Sequence, residues 1–254
     1  ADVPKPRAKI LANFGVGYNH IDAVAARASG IAVTNTPGAV TDATADIAMT
    51  LLLMTARRAG EGERLIRAGQ WAGWYPTQML GAHVTGRSLG VIGMGRIGQA
   101  IARRCHYGFG MEVRFYNRSP IDPGLPATQT SFAKAMAADF VVAAVPGSPA
   151  THHLINAEAL SHMVPHGIFL NISRGDVVDE AALTAALQKG QIAGAGLDVY
   201  EQEPNITPAL LTMQNVTLLP HLGTAVLEVR TAMGLMAVAN LTAFATGTPL
   251  PNPV

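Results

Sequence analysis

The sequence is poor in cysteine and in charge, and each shortage excludes a class of protein. Cys105 is the single cysteine among 254 residues, which excludes an internal disulfide and leaves no cysteine-based spacing for a metal. Charged residues make up 14%, the formal net charge is +1, and basic runs are no longer than the pairs Arg57–Arg58 and Arg103–Arg104. Because nucleic-acid backbones are bound by clustered positive charge, we expect no nucleic-acid partner.

Long apolar runs are also missing. None reaches the roughly 18 residues of a transmembrane helix, and no signal peptide is recognisable, so we expect no membrane partner and a cytoplasmic location. Hydrophobic residues still make up 49%, which is enough for a folded chain with a full core. The pair His152–His153 lacks the spacing of a zinc motif, so we interpret it as solvated loop and expect no metal.

Between residues 88 and 220, short apolar runs alternate with helical patterns, as in parallel strands joined by helical crossovers. The pattern predicts a doubly wound parallel sheet of the Rossmann type, with mostly loop between the fifth and sixth strands. The predicted strands are Ser88–Ile92, Glu112–Tyr116, Asp139–Val145, Ile168–Ser173, Ala193–Val199 and Val216–Pro220. The predicted helices are Gly98–Cys105, Ser131–Ala137, Ala157–Met163 and Glu180–Lys189.

The two ends of the chain have a different pattern. Lys9–Phe14 and Ile31–Thr36 are predicted strands joined by a helix at Ile21–Ala28. Long helices are predicted at Thr41–Arg58 and Thr224–Thr246. Two strands cannot bury an independent core. Either these ends pack on the larger domain or sequence is missing before the first residue, and we favour the second explanation.

A glycine-rich loop, Gly93–Gly98, joins the first predicted strand to the first predicted helix. Gly93 permits a tight turn, Gly95 lets a pyrophosphate approach the backbone, and Gly98 lets the helix pack against the strand. The helix N-terminus then faces the phosphates. A lone match to this pattern is weak, but the strand before it and the helix after it favour a dinucleotide site over an ordinary turn.

The end of the second strand bears on the choice of cofactor. A site that prefers NAD usually has an acid there, which hydrogen-bonds the ribose 2′-hydroxyl. Here the strand is followed by Asn117, Arg118 and Ser119, so no acid repels a 2′-phosphate. Arg118 can clamp that phosphate, which favours NADP(H) over NAD(H). The alternative is a solvent-facing Arg118.

Three polar residues follow three of the later strands. Arg174 comes after the strand at 168–173, His221 after the last strand, and Glu203 in the loop after the fifth. Ligands of open α/β sheets bind at these carboxyl ends. Together the three supply a cation for a carboxylate, a proton donor and a carboxylate that holds the donor, as reduction of a 2-keto acid requires. Taken singly, each is also an ordinary surface arginine, loop glutamate or helix-capping histidine.

At these residues the chain resembles the D-isomer-specific 2-hydroxyacid dehydrogenases, and within them the glyoxylate/hydroxypyruvate reductases. The resemblance extends over essentially the whole sequence. The segments that carry it are Gly15–Asp22, Thr36–Gly38, the glycine loop, Ser173–Gly175, Val178–Glu180, Asp198–Glu201 and Pro220–His221. The ending Asn117–Ser119 is similar to the NADPH-type ending of those reductases.

The resemblance implies a role for each matching residue. Arg174 would pair with the substrate carboxylate, and backbone N–H groups near Val16 and Gly17 would hold its other oxygen. His221 would donate a proton to the carbonyl oxygen, with Glu203 on its other ring nitrogen. The implied cofactor contacts are Thr44, Gly93, Gly95, Arg96, Ile97, Gly98, Asn117, Arg118, Ser119, Val145, Pro146, Thr151, Ile172, Asp198, Gly223 and Thr224.

The resemblance also implies two domains, and the chain departs from it at the front. The family has a longer amino-terminal lobe before the Lys9–Phe14 strand. We therefore expect residues 1–40 to be part of an incomplete flavodoxin-like substrate domain. Residues 41–222 would form the Rossmann domain, and 223–254 a helix that returns to the substrate domain.

Other activities remain open within this superfamily. A nicotinamide-sensing co-regulator can retain the catalytic residues, so the trio of Arg174, Glu203 and His221 does not by itself exclude one. Formate dehydrogenases pair the histidine with glutamine, and Glu203 argues against that chemistry. Phosphoglycerate dehydrogenase is disfavoured because Asn117 replaces the expected acid.

The resemblance implies a homodimer formed through the cofactor domain. The segment after the Thr41–Arg58 helix contains Trp71, Trp74, Tyr75 and Met79, which is much apolar surface to leave in water. We expect a partner subunit to bury this segment. The alternative is packing within the same subunit.

Overall fold

The computed structural model describes residues 6–254, which divide into two compact units. The smaller unit holds the residues up to Ala43 and those from Thr224 onward. The larger unit runs from Thr44 to Gly223. Among the described helices, none combines the length and the apolar composition that crossing a membrane requires.

The smaller unit begins with one βαβ unit. Its elements are β1 (Ile10–Ala12), α1 (Ala23–Ala28) and β2 (Ala32–Thr34). The two strands pair in parallel. The side chain of Asp22 accepts a hydrogen bond from the Ala25 N–H at 2.9 Å, so it caps the N-terminus of α1.

The larger unit contains seven strands and most of the helices. The strands are β3 (Ser88–Ile92), β4 (Glu112–Tyr116), β5 (Ala127–Gln129), β6 (Phe140–Ala143), β7 (Ile168–Asn171), β8 (Gly194–Leu197) and β9 (Val216–Leu218). The helices are α2 (Thr41–Ala56), α3 (Ala59–Arg67), α4 (Arg96–Arg103), α5 (Phe132–Met136), α6 (Ala157–Ser161), α7 (Glu180–Gln188) and α8 (Pro208–Thr212). The first three residues of α2 belong to the smaller unit. Helix α9 (Leu227–Thr246) then belongs to the smaller unit.

The seven strands form one parallel sheet in the order β5-β4-β3-β6-β7-β8-β9. The predicted doubly wound sheet is therefore confirmed. The chain leaves β3 toward β4 on one side and returns to β6 on the other. This reversal opens a crevice at the carboxyl ends of the strands, where such sheets bind ligands.

The sheet is buried on both faces. Successive residues of one strand belong to opposite apolar clusters, as Val141 and Val142 or Phe169 and Leu170 show. This is the pleat of a strand whose two faces are both covered, and it explains the continuous apolar runs of the sequence.

The structure corrects several local predictions. The strand β5 was not predicted, because it is three residues long at the edge of the sheet and two of them are exposed. Helix α3 was not predicted either, and the predicted loop between the fifth and sixth strands contains the five-residue α8. The glycine-loop helix begins at Arg96, two residues early, and continues as a π-helical turn over Arg104–Gly108.

Candidate active site

His221 and Glu203 form a pair at the carboxyl end of the sheet. Nδ1 of His221 lies 2.8 Å from Oε2 of Glu203. An ionised carboxylate can only accept, so Nδ1 donates and Nε2 is the ring atom left to face a ligand. Both side chains are partly exposed, at 49% and 35%. The pair therefore has the access and the orientation of a proton donor held by a carboxylate.

The loop that carries His221 is held by Asp198. The buried Asp198 carboxylate accepts hydrogen bonds from the N–H groups of Leu222 at 2.6 Å and Gly223 at 2.8 Å, and its carbonyl accepts one from the His221 N–H at 2.9 Å. Burial raises the pKa of Asp198, while the two N–H groups oppose the rise. The two carboxylate oxygens of Asp198 therefore hold the histidine loop, and its contact with a cofactor stays a prediction.

Tyr200 links the two strands behind the pair, and no role was predicted for it. Its hydroxyl donates to the carbonyl of Leu219 at 2.8 Å, and its N–H donates to Oε1 of Glu203 at 3.0 Å. Burial, with the nearby Asp198 carboxylate, raises the pKa of Tyr200, so the hydroxyl stays a donor. Both oxygens of Glu203 are thus engaged, one by Tyr200 and one by the imidazole.

Arg174 extends from a tight turn at the end of β7. The buried side chain of Asn171 builds this turn: its oxygen accepts from the Ser173 N–H at 3.0 Å, and its amide donates to the Arg174 carbonyl at 3.0 Å. Arg174 itself is half-buried and donates from Nη1 to the Ser173 carbonyl at 2.7 Å. Asn171 lay within the predicted strand Ile168–Ser173 and was given no function. An asparagine at the last position of a buried strand was the signal that could have identified it.

Gly175 lets the arginine turn contact the loop of Glu203. A Cβ atom at Gly175 would lie 1.8 Å from the carbonyl oxygen of Tyr200. Only glycine permits this approach of two backbones. Since β7, β8 and β9 are adjacent and parallel, the segments that carry Arg174, Glu203 and His221 leave the sheet side by side.

The glycine loop has the geometry of a dinucleotide-binding turn. Gly93 has a φ of +99°, and a Cβ atom there would meet the Ala144 carbonyl at 2.8 Å. A Cβ atom at Gly98 would lie 2.1 Å from the Gly93 carbonyl. Gly95 precedes the first residue of α4 and faces open space. Phosphates can therefore approach the backbone at the N-terminus of α4, beside the exposed Arg96 and the half-buried Ile97.

The turn after β4 is fixed by a residue of the unpredicted strand. The side-chain amide of Gln129 donates to the carbonyls of Asn117 and Ser119, both at 3.1 Å, and the Asn117 amide also donates to Ser119. Arg118, between them, is exposed. Its guanidinium has no hydrogen bond or ion pair to any residue that the structure describes. The turn thus presents a cation beyond the end of the strand.

The other expected cofactor residues lie on four segments. Thr44 donates from its hydroxyl to the Gly223 carbonyl at 3.3 Å, which joins the start of α2 to the histidine loop. Thr151 donates to the Pro146 carbonyl at 2.7 Å and so closes the loop after β6. The remaining positions are the half-buried Val145, the buried Ile172 after β7, and Thr224, the first residue of the smaller unit's second segment.

In the smaller unit, two asparagine side chains donate hydrogen bonds to three carbonyl groups of the segment that follows β1. The Asn13 amide donates to the carbonyls of Gly15 at 2.8 Å and Gly17 at 3.1 Å, and the Asn35 amide donates to that of Val16 at 2.9 Å. In a trans peptide the N–H points away from the carbonyl. The N–H groups of Val16 and Gly17 therefore point away from the two asparagines. Neither asparagine was assigned a role from the sequence.

One interpretation of the sequence needs correction. His152 is exposed, as a solvated loop residue should be, but His153 is half-buried and its Nε2 lies 2.6 Å from Oε1 of Glu201.

Residues 49–223, well over half of the chain, match the family described as D-isomer specific 2-hydroxyacid dehydrogenase, NAD binding domain. The chain belongs to this family. The expected family resemblance is therefore confirmed. The matched range lies within the larger unit and contains the glycine loop, Arg174, Glu203 and His221.

Other members of the family are similar over most of this chain. The glyoxylate reductase of Thermococcus kodakarensis is 47% identical over 250 residues, which cover 95% of this chain and 75% of the relative. That of Thermococcus litoralis is 44% identical over 255 residues, covering 97% and 77%. A solved structure with a TM-score of 0.91 and 44% identity covers 97% of this chain and 77% of the other. It is the NADPH-dependent glyoxylate/hydroxypyruvate reductase of Sinorhizobium meliloti in complex with NADP and malonate.

Proposed function

We propose that this chain reduces a small 2-keto acid, glyoxylate or hydroxypyruvate, to the D-2-hydroxy acid, with hydride from a nicotinamide cofactor. The observation that carries the proposal is the hydrogen bond of 2.8 Å between His221 and Glu203, beside the Arg174 turn and in one domain with a complete glycine loop. The glyoxylate reductases among the relatives support this activity over the co-regulator.

Each residue of the trio has one task in this reaction. Arg174 binds the substrate carboxylate and polarises the keto oxygen. Nε2 of His221 gives its proton to that oxygen as the carbon accepts hydride. Glu203 keeps the ring oriented and stabilises the imidazolium form with its negative charge. The carbonyl bond loses its π component, and the oxygen becomes the hydroxyl of the product.

The larger unit fits a dinucleotide. The open space at Gly95 and the N-terminus of α4 suit the pyrophosphate, and the crevice beside β3 and β6 suits the nicotinamide half. When bound, the reduced cofactor supplies the hydride. Val145, Pro146 and Ile172 supply apolar and backbone surface beside it, which limits the access of water to the reacting carbon.

The smaller unit contributes N–H groups for an anion. The N–H groups of Val16 and Gly17 point away from the asparagines that hold the neighbouring carbonyls. A carboxylate oxygen of the substrate is a suitable acceptor for them. We assign a role in substrate binding to this segment.

NADPH is the proposed cofactor, in preference to NADH. Arg118 is exposed after β4, where no acid stands, and its guanidinium can form two hydrogen bonds to a 2′-phosphate. Substitution Arg118→Ala should raise the KM for NADPH on the order of tenfold or more and leave the KM for NADH unchanged. Steady-state kinetics with both cofactors provides the measurement.

Arg114→Ala is the matched control for this substitution, because Arg114 lies on β4 and pairs with Glu112 at 2.9 Å. It should change neither KM. An equal rise in the KM for NADPH and in the KM for NADH in the Arg118→Ala variant would show that Arg118 does not recognise the 2′-phosphate.

The activity itself is tested by NADPH oxidation with glyoxylate and with hydroxypyruvate. We expect turnover by the wild type, and a kcat lower by about 10²-fold or more in His221→Ala, with NADPH affinity retained. His162→Ala, an exposed histidine on α6's C-terminal side, is the control. Tight NADPH binding without turnover of either keto acid would contradict the proposal.

We also propose that the chain forms a homodimer and that it is located in the cytoplasm. The side chains of Trp71, Trp74 and Tyr75 are 54%, 78% and 55% exposed in the single subunit, which argues against the alternative of packing within it. Leu80, at 67% exposed, extends the same apolar surface. Surfaces of this kind mark protein interfaces, and we assign this one to a second copy of the chain.

A further inference from the structure

Three metal-ligating side chains meet outside the trio. They are His152 and His153, from the loop after β6, and Glu201, from the loop after β8. One ligand atom from each lies within 4.8 Å of the others. The two imidazole rings stack with centroids 4.0 Å apart, and Nε2 of His153 lies 2.6 Å from Oε1 of Glu201.

The backbone places both rings on one side of the loop. Neighbouring residues of an extended chain point to opposite sides, but His153 has a φ of +48°, the left-handed conformation, which breaks that alternation. The conformation is uncommon for a residue other than glycine. It is held by a hydrogen bond of 2.8 Å from the His153 N–H to the Asp176 carbonyl.

Glu201 is aimed at the histidines by the first residue of α7. The Glu201 N–H donates to the buried Glu180 carboxylate at 3.1 Å, and the Glu180 N–H donates to Oε2 of Glu201 at 3.3 Å. This reciprocal pair occupies one carboxylate oxygen of Glu201. The other oxygen, Oε1, faces His153.

We propose that His152, His153 and Glu201 form a binding site for a divalent transition-metal cation, with Zn²⁺ as the expected occupant. Two imidazoles and a carboxylate are a common zinc ligand set, and water completes the coordination. Bonds of about 2.0–2.1 Å at tetrahedral angles put the ligand atoms roughly 3.3 Å apart, so small side-chain movements suffice. His153 and Glu201 have side chains 34% and 28% exposed, which leaves an entry path.

The ligand chemistry selects the kind of cation. Mg²⁺ and Ca²⁺ prefer cages of oxygen atoms, whereas imidazole nitrogen suits Zn²⁺, Cu²⁺ and Ni²⁺. On binding, the cation takes the place of the proton between His153 and Glu201. The carboxylate offsets part of the added charge.

The site would cross-link two loops of the larger unit. Glu201 is two residues from Glu203 and follows Tyr200, which contacts Gly175. A bound cation therefore joins the loop after β6 to the loop that carries Glu203. We expect saturating Zn²⁺ to raise the Tm of the wild-type chain.

The test is a titration of the tag-free, EDTA-treated chain with Zn²⁺ in a calorimeter, and with Co²⁺ followed by visible absorption. We expect one cation per chain, micromolar affinity and the absorption bands of a Co²⁺ ion bound to nitrogen and oxygen. His152→Ala should weaken binding by about tenfold or more and remove the rise in Tm. Because His152 is exposed, this variant is expected to fold.

His162→Ala serves as the matched control, and it should bind both cations like the wild type. Glu201→Gln keeps a hydrogen-bond acceptor for His153 but lacks the charge, and it should also bind weakly. Binding that is millimolar in the wild type, or unchanged by His152→Ala and Glu201→Gln, would overturn the proposal. Neither result depends on the keto-acid activity.

Discussion

His221 occupies a left-handed backbone conformation, with a φ of +54°. Such a conformation costs a residue with a side chain roughly 1–3 kcal/mol, and active sites are where it is often retained. The hydrogen bonds to Asp198 from the three consecutive N–H groups of His221, Leu222 and Gly223 stabilise it. The imidazole is therefore positioned before any ligand arrives, which lowers the cost of ordering it during the reaction.

Glu203→Gln tests the contribution of the carboxylate's charge. Glutamine has nearly the same shape but cannot stabilise an imidazolium by charge, so kcat should fall on the order of tenfold to a hundredfold. NADPH affinity should not change. Kinetics at saturating cofactor measures the effect, and Glu158→Gln on α6, whose carboxylate lies in the first turn of that helix, is the control. A kcat equal to that of the wild type would show that Glu203 only fills space.

At the scale of elements, the site depends on close approaches between turns. The turn after β7 meets the loop after β8 at Gly175, and the loop after β3 meets α4 at Gly98. At both glycines the neighbouring backbones are too close for a side chain to fit between them. The positions of the turns are thus set by backbone packing at glycines as well as by hydrogen bonds.

Gly175→Ala should separate the Arg174 turn from the Tyr200 carbonyl. The added Cβ atom would lie 1.8 Å from that oxygen, so one of the two backbones must move. We expect kcat/KM for the keto acid to fall by about 10²-fold, because a displacement of 1 Å is enough for such a loss. Gly108→Ala is the control, since a Cβ atom there meets nothing within 4 Å. Full activity of the Gly175 variant would contradict this role.

Asp139 joins the starts of two neighbouring strands, β3 and β6. Burial acts to raise its pKa, but hydrogen bonds from Ser88 and from His166 outweigh burial, and the pKa lies at about 2 against an ordinary 3.8. A carboxyl group whose pKa is lowered on folding stabilises the fold above its unfolded pKa. That stabilisation is lost as the pH falls through the folded value.

Asp139→Asn should therefore lower the free energy of unfolding at pH 7 by on the order of 1–2 kcal/mol. The difference from the wild type should shrink between about pH 4 and pH 2. Denaturant titrations over this range measure it. Asp122→Asn, whose carboxylate accepts a hydrogen bond from Gly124 on the surface, should show no comparable dependence. A constant difference across the range would mean that the charge of Asp139 does not act in this way.

The elements themselves were predictable to different degrees. Six of the seven strands of the larger unit were predicted, because most of them are apolar on both faces. Helices α1, α5, α6 and α7 were predicted because capping or terminating residues lie at their ends, as at Asp22 and Ser131. Strand β5 was missed because two of its three residues are polar and exposed, which leaves little apolar signal. The π-helical turn at 104–108 escaped because the local sequence of a π-turn resembles that of an α-helix.

At the scale of the whole molecule, the segment with Trp71, Trp74 and Tyr75 is the surface from which we propose a dimer. Trp74→Ser should shift the sedimentation of the chain from dimer toward monomer, because an aromatic residue near the centre of an interface carries much of its energy. Tyr107→Ser, which alters an aromatic residue 67% exposed outside this segment, is the control. A wild-type chain that sediments as a monomer at micromolar concentration would refute the dimer.

The class of sheet, the glycine loop and the family could all be predicted from the amino-acid sequence alone. Each of these depends on a local pattern of apolar residues, glycines and caps that can be read along the chain. It also pointed to Arg174, Glu203 and His221, because polar residues after buried strands stand out against their surroundings.

Which of these side chains are in contact could be seen only in the folded chain. Three sets of contacts join residues from different strand ends. They are the hydrogen bond between His221 and Glu203, the hydrogen bonds from the His221 loop to Asp198, and the cluster of His152, His153 and Glu201. Such contacts depend on strand order, register and the direction in which each loop turns. Those are set by packing across the whole sheet and by glycines such as Gly175, and the residues near each side chain along the chain do not specify them.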